Sequence, residues 1–397
     1  MRTVLRGVLF VAVLCLVLPL AAPARARPAQ LPPAAIPGPC QDDVLPSGAK
    51  SKICVPVSGW NDDLVVYAHG YVAFNQPIDF QNLTFGGVDL PTAVQIQGYA
   101  FATTSYRQNG LAVLEGADDI RELIAAFKAT RTPDHIYLIG VSEGALVATL
   151  LAEQSPELIS GALAACGPIG SFQRQIEYFA DFRVVFDYFF PGVLPGSPIN
   201  IPNQLIDNWE STYAPAVANA LQTSPISATQ LISVTQAPID PADPAVTTIS
   251  TTLDILWYNV FATNDAVAKL GGNPYGNAGR VYAGSADDAR LNAQVQRFNA
   301  NSTALNALAA YETGGQLRLP LVTLHTIGDD VIPFWHEQLY RDKVPEVWRF
   351  NLTQLPSPSY GHCNFTTQEA QVALLTLVQQ VNTPERARVY LPIVLRP

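Results

Sequence analysis

Basic residues are scarce in this chain: of 397 residues, 23 are Lys or Arg against 33 Asp or Glu, and charged residues make up only 14%. The net charge of -10, with few basic clusters, argues against a nucleic-acid partner and gives no reason to expect attachment to an anionic membrane surface. Low-complexity tracts and internal repeats are also missing. The apolar run Val8–Leu18 is too short for a comfortable membrane span. It follows Arg2 and Arg6 and precedes the small-residue triplets Ala22-Pro23-Ala24 and Ala24-Arg25-Ala26, the pattern of a secretory signal peptide with two cleavage options. Cys15 lies inside that run without the preceding small residue that a lipid-modified cysteine needs. Removing the signal leaves Cys40, Cys54, Cys166 and Cys363. Their spacing matches no zinc pattern, and an even count in an exported chain implies disulfides. Histidine is rarer still than basic charge in general. A general base must be one of His69, His135, His325, His336 and His362.

Apolar residues, by contrast, make up 48% of the chain, enough for a large core in two average domains or one elaborated domain. The most informative stretch is Ile136–Gly144, I-Y-L-I-G-V-S-E-G. A β-branched run drops into Gly140-Val141-Ser142-Glu143-Gly144, and a helical pattern follows from Ala145 to Gln154. In that strand–turn–helix setting, G-x-S-x-G reads as a nucleophile elbow, whose tight turn leaves no room for a Cβ at either glycine. The turn exposes the Ser142 hydroxyl and leaves the Glu143 amide at a helix N-terminus, ready for a developing oxyanion.

Taken in order, Gln30–Pro39 is a Pro-rich leader, and Cys40 and Cys54 bracket a polar loop, Gln41–Lys52, with Cys40–Cys54 the economical pairing. Strands are expected at Ile53–Val57 and Leu64–Ala68, the second ending in His69-Gly70-Tyr71. The glycine allows close backbone approach, so the Tyr71 amide is a candidate second oxyanion donor; His69 is read as non-catalytic. A strand at Gly98–Thr104, a helix within Asp118–Thr130 and a strand at Ile159–Cys166 extend an alternation that predicts a mostly parallel sheet with helices on both faces. From Gly167 to about Leu317 the rhythm breaks. This stretch is too long for a loop and reads as a mainly helical cap over the carboxyl ends of the strands, with a separate second domain as the alternative. Its aromatics in Tyr178–Phe190 and at Trp257, Tyr258 and Phe261 suit either a bulky-ligand pocket or plain core packing. Helical periodicity also runs through Asp287–Ala300.

The sheet resumes at Leu319–His325 and runs into Gly328-Asp329-Asp330. Either acid suits an orienting role toward an imidazole, and like-charge repulsion predicts that one of them faces out. A last strand is expected at Phe350–Leu355, then a loop from Pro356 to Gly361 leading into His362-Cys363. His362 thereby completes the order Ser, Asp, His, each after a strand.

On these residues, over roughly Leu64–Cys166 and Leu319–Val381, the chain resembles the α/β-hydrolase superfamily, in particular its secreted esterase and lipase-like members. The resemblance implies Ser142 as nucleophile, His362 as base and Asp329 as acid, because family loops commonly read Gly, Asp, any residue, two apolar residues, Pro. The resemblance does not cover the cap; with the reading of the residues it gives an expected division into signal peptide (1–26), leader (27–50), first core part (51–166), cap (167–318), second core part (319–385) and tail (386–397). The Gly-His-Cys segment is similar to feruloyl esterases and tannases, where a cysteine after the histidine is bonded to one directly before the serine. Here Val141 holds that place and Cys166 ends the neighbouring strand. A Cys166–Cys363 bond would keep the tether, with Cys40 or Cys54 as competing partners.

The implied chemistry is ester hydrolysis through an acyl-enzyme, on a small-molecule or polymeric ester, with the Tyr71 and Glu143 amides holding the oxyanion and no metal or organic cofactor required. A prolyl-oligopeptidase-like peptidase, a plant-polymer or polyester esterase and a non-catalytic binding module on the same fold are the alternatives. Arg388–Pro397 either packs on the fold or marks cell-surface association.

Overall fold

The Leu64–Ala68 segment, L-V-V-Y-A, is buried at all five positions, which requires a sheet covered on both faces. The computed structural model describes residues 35–383. The expected signal peptide with Cys15, the first part of the leader and the tail from 386 lie outside the described residues. The strands are β1 (Cys40–Val44), β2 (Lys50–Cys54), β3 (Leu64–Ala68), β4 (Thr84–Phe85), β5 (Val88–Asp89), β6 (Ala100–Thr104), β7 (Ile136–Val141), β8 (Gly161–Ala165), β9 (Leu321–Gly328) and β10 (Leu352–Tyr360). Eight of them form one sheet in the order β1-β2-β6-β3-β7-β8-β9-β10, and β4–β5 is a separate small hairpin. β2 is antiparallel to both its neighbours, and every pairing from β6 across to β10 is parallel. This is the α/β-hydrolase fold.

Alternate strand residues feed two cores, as period-2 geometry requires. Leu64, Val66 and Ala68 face α2 (Val113–Lys128) and α3 (Glu143–Gln154), while Val65, Tyr67 and Leu163 face the side of α1 (Leu90–Ile96) and α12 (Thr367–Asn382). Between β8 and β9 the chain forms α4 (Phe172–Phe189), α5 (Asn203–Asp207), α6 (Ala214–Thr223), α7 (Pro225–Thr235), α8 (Pro244–Leu270), α9 (Asp288–Gln294) and α10 (Ser302–Leu308); α11 (Trp335–Lys343) follows β9. This helical insertion has its own apolar core, including Phe182, Phe186, Trp209 and Leu256. Its longest helix, α8, starts at an Asp243 side chain accepting from the Val246 amide, with Pro244 in the first turn, and ends at left-handed Gly271. Among the described residues no helix is long and apolar enough to cross a membrane.

Three expectations need correction. The polar Gln41–Lys52 stretch is no loop: it pairs as the β1–β2 hairpin, with Cys40 opposite Cys54 and the sheet beginning at Cys40. All five β1 residues are exposed, so this edge strand carries no apolar alternation to read. Pro356–Gly361 is not a loop either, because β10 continues to Tyr360 through two prolines. It pairs only with β9, and an edge strand tolerates the missing amides. The helical pattern over Asp287–Ala300 yields only α9, Asp288–Gln294.

Candidate active site

β7 ends in a turn that only small residues permit. A Cβ on Gly140 would lie 2.0 Å from the Gly144 carbonyl oxygen, and one on Gly144 would lie 2.1 Å from that of Ala68. Ser142 itself sits at φ 56°, ψ -122°, a conformation that an L-residue adopts only under constraint from its surroundings. The turn sets Ser142 at the carboxyl end of β7, with Glu143 as the first residue of α3, where amides have no partner within the helix. From the other side comes His69-Gly70-Tyr71, so close that a Cβ on Gly70 would meet the Ser142 Cβ at 2.9 Å. Both amides named as candidate oxyanion donors, those of Tyr71 and Glu143, thus flank Ser142.

The loop after β10 delivers His362. Its Nε2 lies 2.9 Å from Ser142 Oγ, and its Nδ1 lies 2.9 and 3.1 Å from the two Asp329 carboxylate oxygens. A carboxylate only accepts, so Nδ1 carries the proton and Nε2 is left to accept from the serine hydroxyl. Asp329 is fully buried, and its Oδ1 also accepts from the Val331 and Ile332 amides. Burial pushes this carboxyl up, but the charges and hydrogen bonds of His362 and His325 outweigh it and hold the group down at about 2. The Cys166–Cys363 disulfide ties the His362 loop to the end of β8, and Cys40–Cys54 staples the first hairpin.

Asp330 corrects another expectation. It does not face out: it is 1% exposed beside Asp329 at 0%. Burial, then the charges of Asp254 and Asp329, push its carboxyl up to about 7, so it meets like-charge repulsion by holding its proton more tightly. The other four histidines stand apart from the serine. His69 is buried and stacks on Tyr106 at 4.0 Å, and His135 pairs with Asp63 at 2.9 Å at the opposite end of the sheet. His336 accepts from the Gly170 amide and bonds Gln175.

His325 backs Asp329 from behind, an arrangement with no signal in the sequence. Its Nδ1 meets Glu337 at 3.1 Å, and its Nε2 donates to the Ile332 carbonyl at 2.8 Å and lies 3.6 Å from Asp329. Burial lowers this imidazole's affinity for a proton, but the hydrogen bonds and charges of Asp329 and Glu337 raise it to about 10. No local signal reveals Glu337, which meets the strand only through the packing of α11.

Glu143 is the second surprise. Its buried side chain points back over α2, accepting from the Ala112 amide at 3.2 Å. Burial pushes its carboxyl up to about 8, with the Ala112 amide and Lys269 opposing. The folded protein therefore keeps a proton that the unfolded chain releases near 4.5, and stability is lost as pH rises from that value through 8. Glu143→Gln is expected to melt higher than wild type at pH ~9, the gap closing toward pH ~4.5. Parallel melting curves across that range would contradict the assignment.

The tether gives a further expectation. Cys166→Ser/Cys363→Ser reopens a loop of 197 residues, worth roughly 5 kcal/mol by the loop-closure relation. It also frees His362, so kcat falls in addition to the melting temperature. Cys40→Ser/Cys54→Ser is expected to lower stability alone; equal loss of kcat in both would show that the tether has no special bearing on the site.

Of the expected pocket aromatics, Tyr258 stands at the site, stacked on Phe179 at 5.1 Å, and Tyr178 donates to the Asp330 carbonyl at 2.8 Å. Phe186, Phe190 and Phe261 belong to the insertion's core.

No protein-family model matches the chain. An o-phthalyl amidase of Xanthobacter agilis is 36% identical over 76 residues, which is 18% of this chain and 16% of that protein. The chain therefore matches only about a sixth of that relative's length. Among solved structures, an esterase of Pyrococcus furiosus superposes with a TM-score of 0.45 at 12% identity, covering 86% of this chain and 91% of that one. Feruloyl esterase B of Aspergillus oryzae gives 0.48 at 14% identity, covering 86% and 80%.

Proposed function

We propose that the protein is an exported serine hydrolase that cleaves carboxylic esters through an acyl-enzyme. The observation that carries this reading is the hydrogen-bonded line from Ser142 Oγ through His362 to buried Asp329. Ser142 Oγ attacks the ester carbonyl carbon as His362 Nε2 takes its proton, and the amides of Tyr71 and Glu143 donate hydrogen bonds to the developing oxyanion. Collapse of the tetrahedral species breaks the carbon–oxygen bond to the alcohol, which leaves with the proton from His362. Water then repeats the route in reverse roles, releasing the acid and restoring the serine. Asp329 fixes the tautomer and stabilises the imidazolium. The helical insertion acts as a cap over this centre, with Tyr258 at its inner surface.

Export is supported by two disulfides, one of them at the histidine loop. The short match to an amidase favours amide cleavage as the second reading. A panel of nitrophenyl esters and peptide or acyl anilides separates the two. Ester turnover without anilide turnover is the expected result; dominant anilide cleavage would reassign the enzyme as an amidase or peptidase.

A further inference from the structure

Two cavities meet at Ser142, and they differ in size and in which catalytic group they reach. The larger, about 580 Å³, lies between the sheet and the pair α1 and α12. Ser142 and His362 stand at its inner end, and Val141, Ile139, Tyr67, Val65 and Phe101 form its floor. Ile139 is level with Tyr67, and Val65 is level with Phe101. The floor thus runs four residues down the strands from Val141, a depth of about 13 Å at the rise of a β-strand. Apart from His362, no ionisable Asp, Glu, Lys or Arg side chain lines it. Asn82, Thr84, Gln97 and Gln371, at the β4–β5 hairpin region, the end of α1 and α12, are exposed, while Tyr67 brings a phenol to the floor and Tyr71 and Tyr258 also line the cavity. The smaller cavity, about 80 Å³, lies on the other side of Ser142, against Glu143, Leu111, Phe172 and Ile332. His362 borders the first cavity and not the second.

This asymmetry bears on which half of an ester goes where, and it rests on the serine-hydrolase reading above. Once Ser142 Oγ has bonded to the carbonyl carbon and the oxyanion points at the Tyr71 and Glu143 amides, two substituents remain. The alcohol oxygen must receive its proton from His362 Nε2, so it belongs on the wall that His362 forms. The acyl group takes the remaining direction. We propose that the enzyme is specific for short-chain acid esters of long or bulky, uncharged, apolar alcohols, with the alcohol in the 580 Å³ cavity beneath α1 and α12 and the acyl group in the 80 Å³ cavity beside Glu143. The apolar floor supplies the binding energy, and the absence of charged side chains from the large cavity spares an apolar alcohol any desolvation of ions. The neutral Glu143 carboxyl leaves the acyl site equally free of charge at moderate pH.

The test uses two alkyl ester series, free of an activated leaving group: ethyl, hexyl and decyl acetate, and ethyl acetate, hexanoate and decanoate. Each is run with wild type and with Ala93→Phe and Ala370→Phe, which place a ring in the large cavity from α1 and from α12. In wild type, kcat/KM is expected to rise from ethyl to decyl acetate by roughly tenfold or more, the worth of about two buried methylenes, and to fall from ethyl acetate to ethyl decanoate. In the filled variants the rise in kcat/KM from ethyl to decyl acetate is expected to disappear. Preference for ethyl decanoate, lost in the filled variants, would place the acyl chain in the large cavity and overturn the proposal. Indifference to chain length in both series would overturn it as well. If a filled variant gives no cooperative melt, the other decides, and the two wild-type series decide without either. Labelling of Ser142 by a fluorophosphonate in the same preparations keeps the failures apart. Labelled enzyme with the wrong preference sinks the partition alone, whereas unlabelled, inactive enzyme sinks the hydrolase reading with it.

Discussion

Ser142→Ala is expected to lower kcat for ester hydrolysis by roughly a million-fold, the scale seen when a nucleophile that acts as a unit with its base is removed. The loss falls on kcat, because alanine leaves both cavities and the flanking amides of Tyr71 and Glu143 in place, so substrate still binds. What remains is the residual acceleration from oxyanion stabilisation and binding, about three to four orders of magnitude over water. The backbone strain at φ 56° is the same for alanine as for serine, so the variant is expected to fold. Steady-state kinetics on nitrophenyl acetate check this. A variant within tenfold of wild type would place the nucleophile elsewhere.

Asp329→Asn is expected to lower kcat about ten-thousand-fold near neutral pH. Asparagine keeps the shape but removes the charge that stabilises the imidazolium. Its amide can also turn an N–H toward His362 Nδ1, which then carries its proton on Nε2 and cannot accept from Ser142. The neighbouring variant is the control. Asp330 is equally buried, but burial and the charges of Asp254 and Asp329 already favour its protonated form, and its carboxyl reaches Tyr360 only at 3.5 Å. Asp330→Asn therefore replaces a carboxyl whose charged form its surroundings already disfavour, and it is expected to leave kcat in the wild-type range. Reversal of the two effects would make Asp330 the acid and would require the His362 loop to sit differently from the geometry described here.

The parts legible in the sequence are those where backbone crowding restricts residue type. Gly140 and Gly144 are readable because the carbonyls of Gly144 and Ala68 leave no space for a Cβ, and that constraint belongs to the turn itself. The fully buried strands are readable as unbroken apolar runs such as Leu64–Ala68. The order Ser142, Asp329, His362 follows from each lying beyond a strand of a parallel sheet, and the structure brings the three into hydrogen-bond contact. What escapes is set by long-range packing. The fully exposed β1 shows no pattern, and the Pro-bearing end of β10 is tolerated only because it lies at the sheet edge. Both acids are buried because Asp330 can hold its proton, a property of Asp254 on α8 and of the surrounding apolar packing rather than of the Asp-Asp pair. Glu337 reaches His325 only once α11 has docked. The large cavity, too, is assembled from distant parts of the chain, with α1, α12 and the sheet residues Phe101 and Leu163 all in its lining.

The most direct measurement is intact mass and peptide mapping after treatment with a fluorophosphonate probe, for wild type, Ser142→Ala and His362→Ala. One adduct per chain is expected, mapped to Ser142, absent in Ser142→Ala and formed much more slowly in His362→Ala. An adduct at another residue, or none in folded wild-type protein, would contradict the assignment of Ser142 as an activated nucleophile.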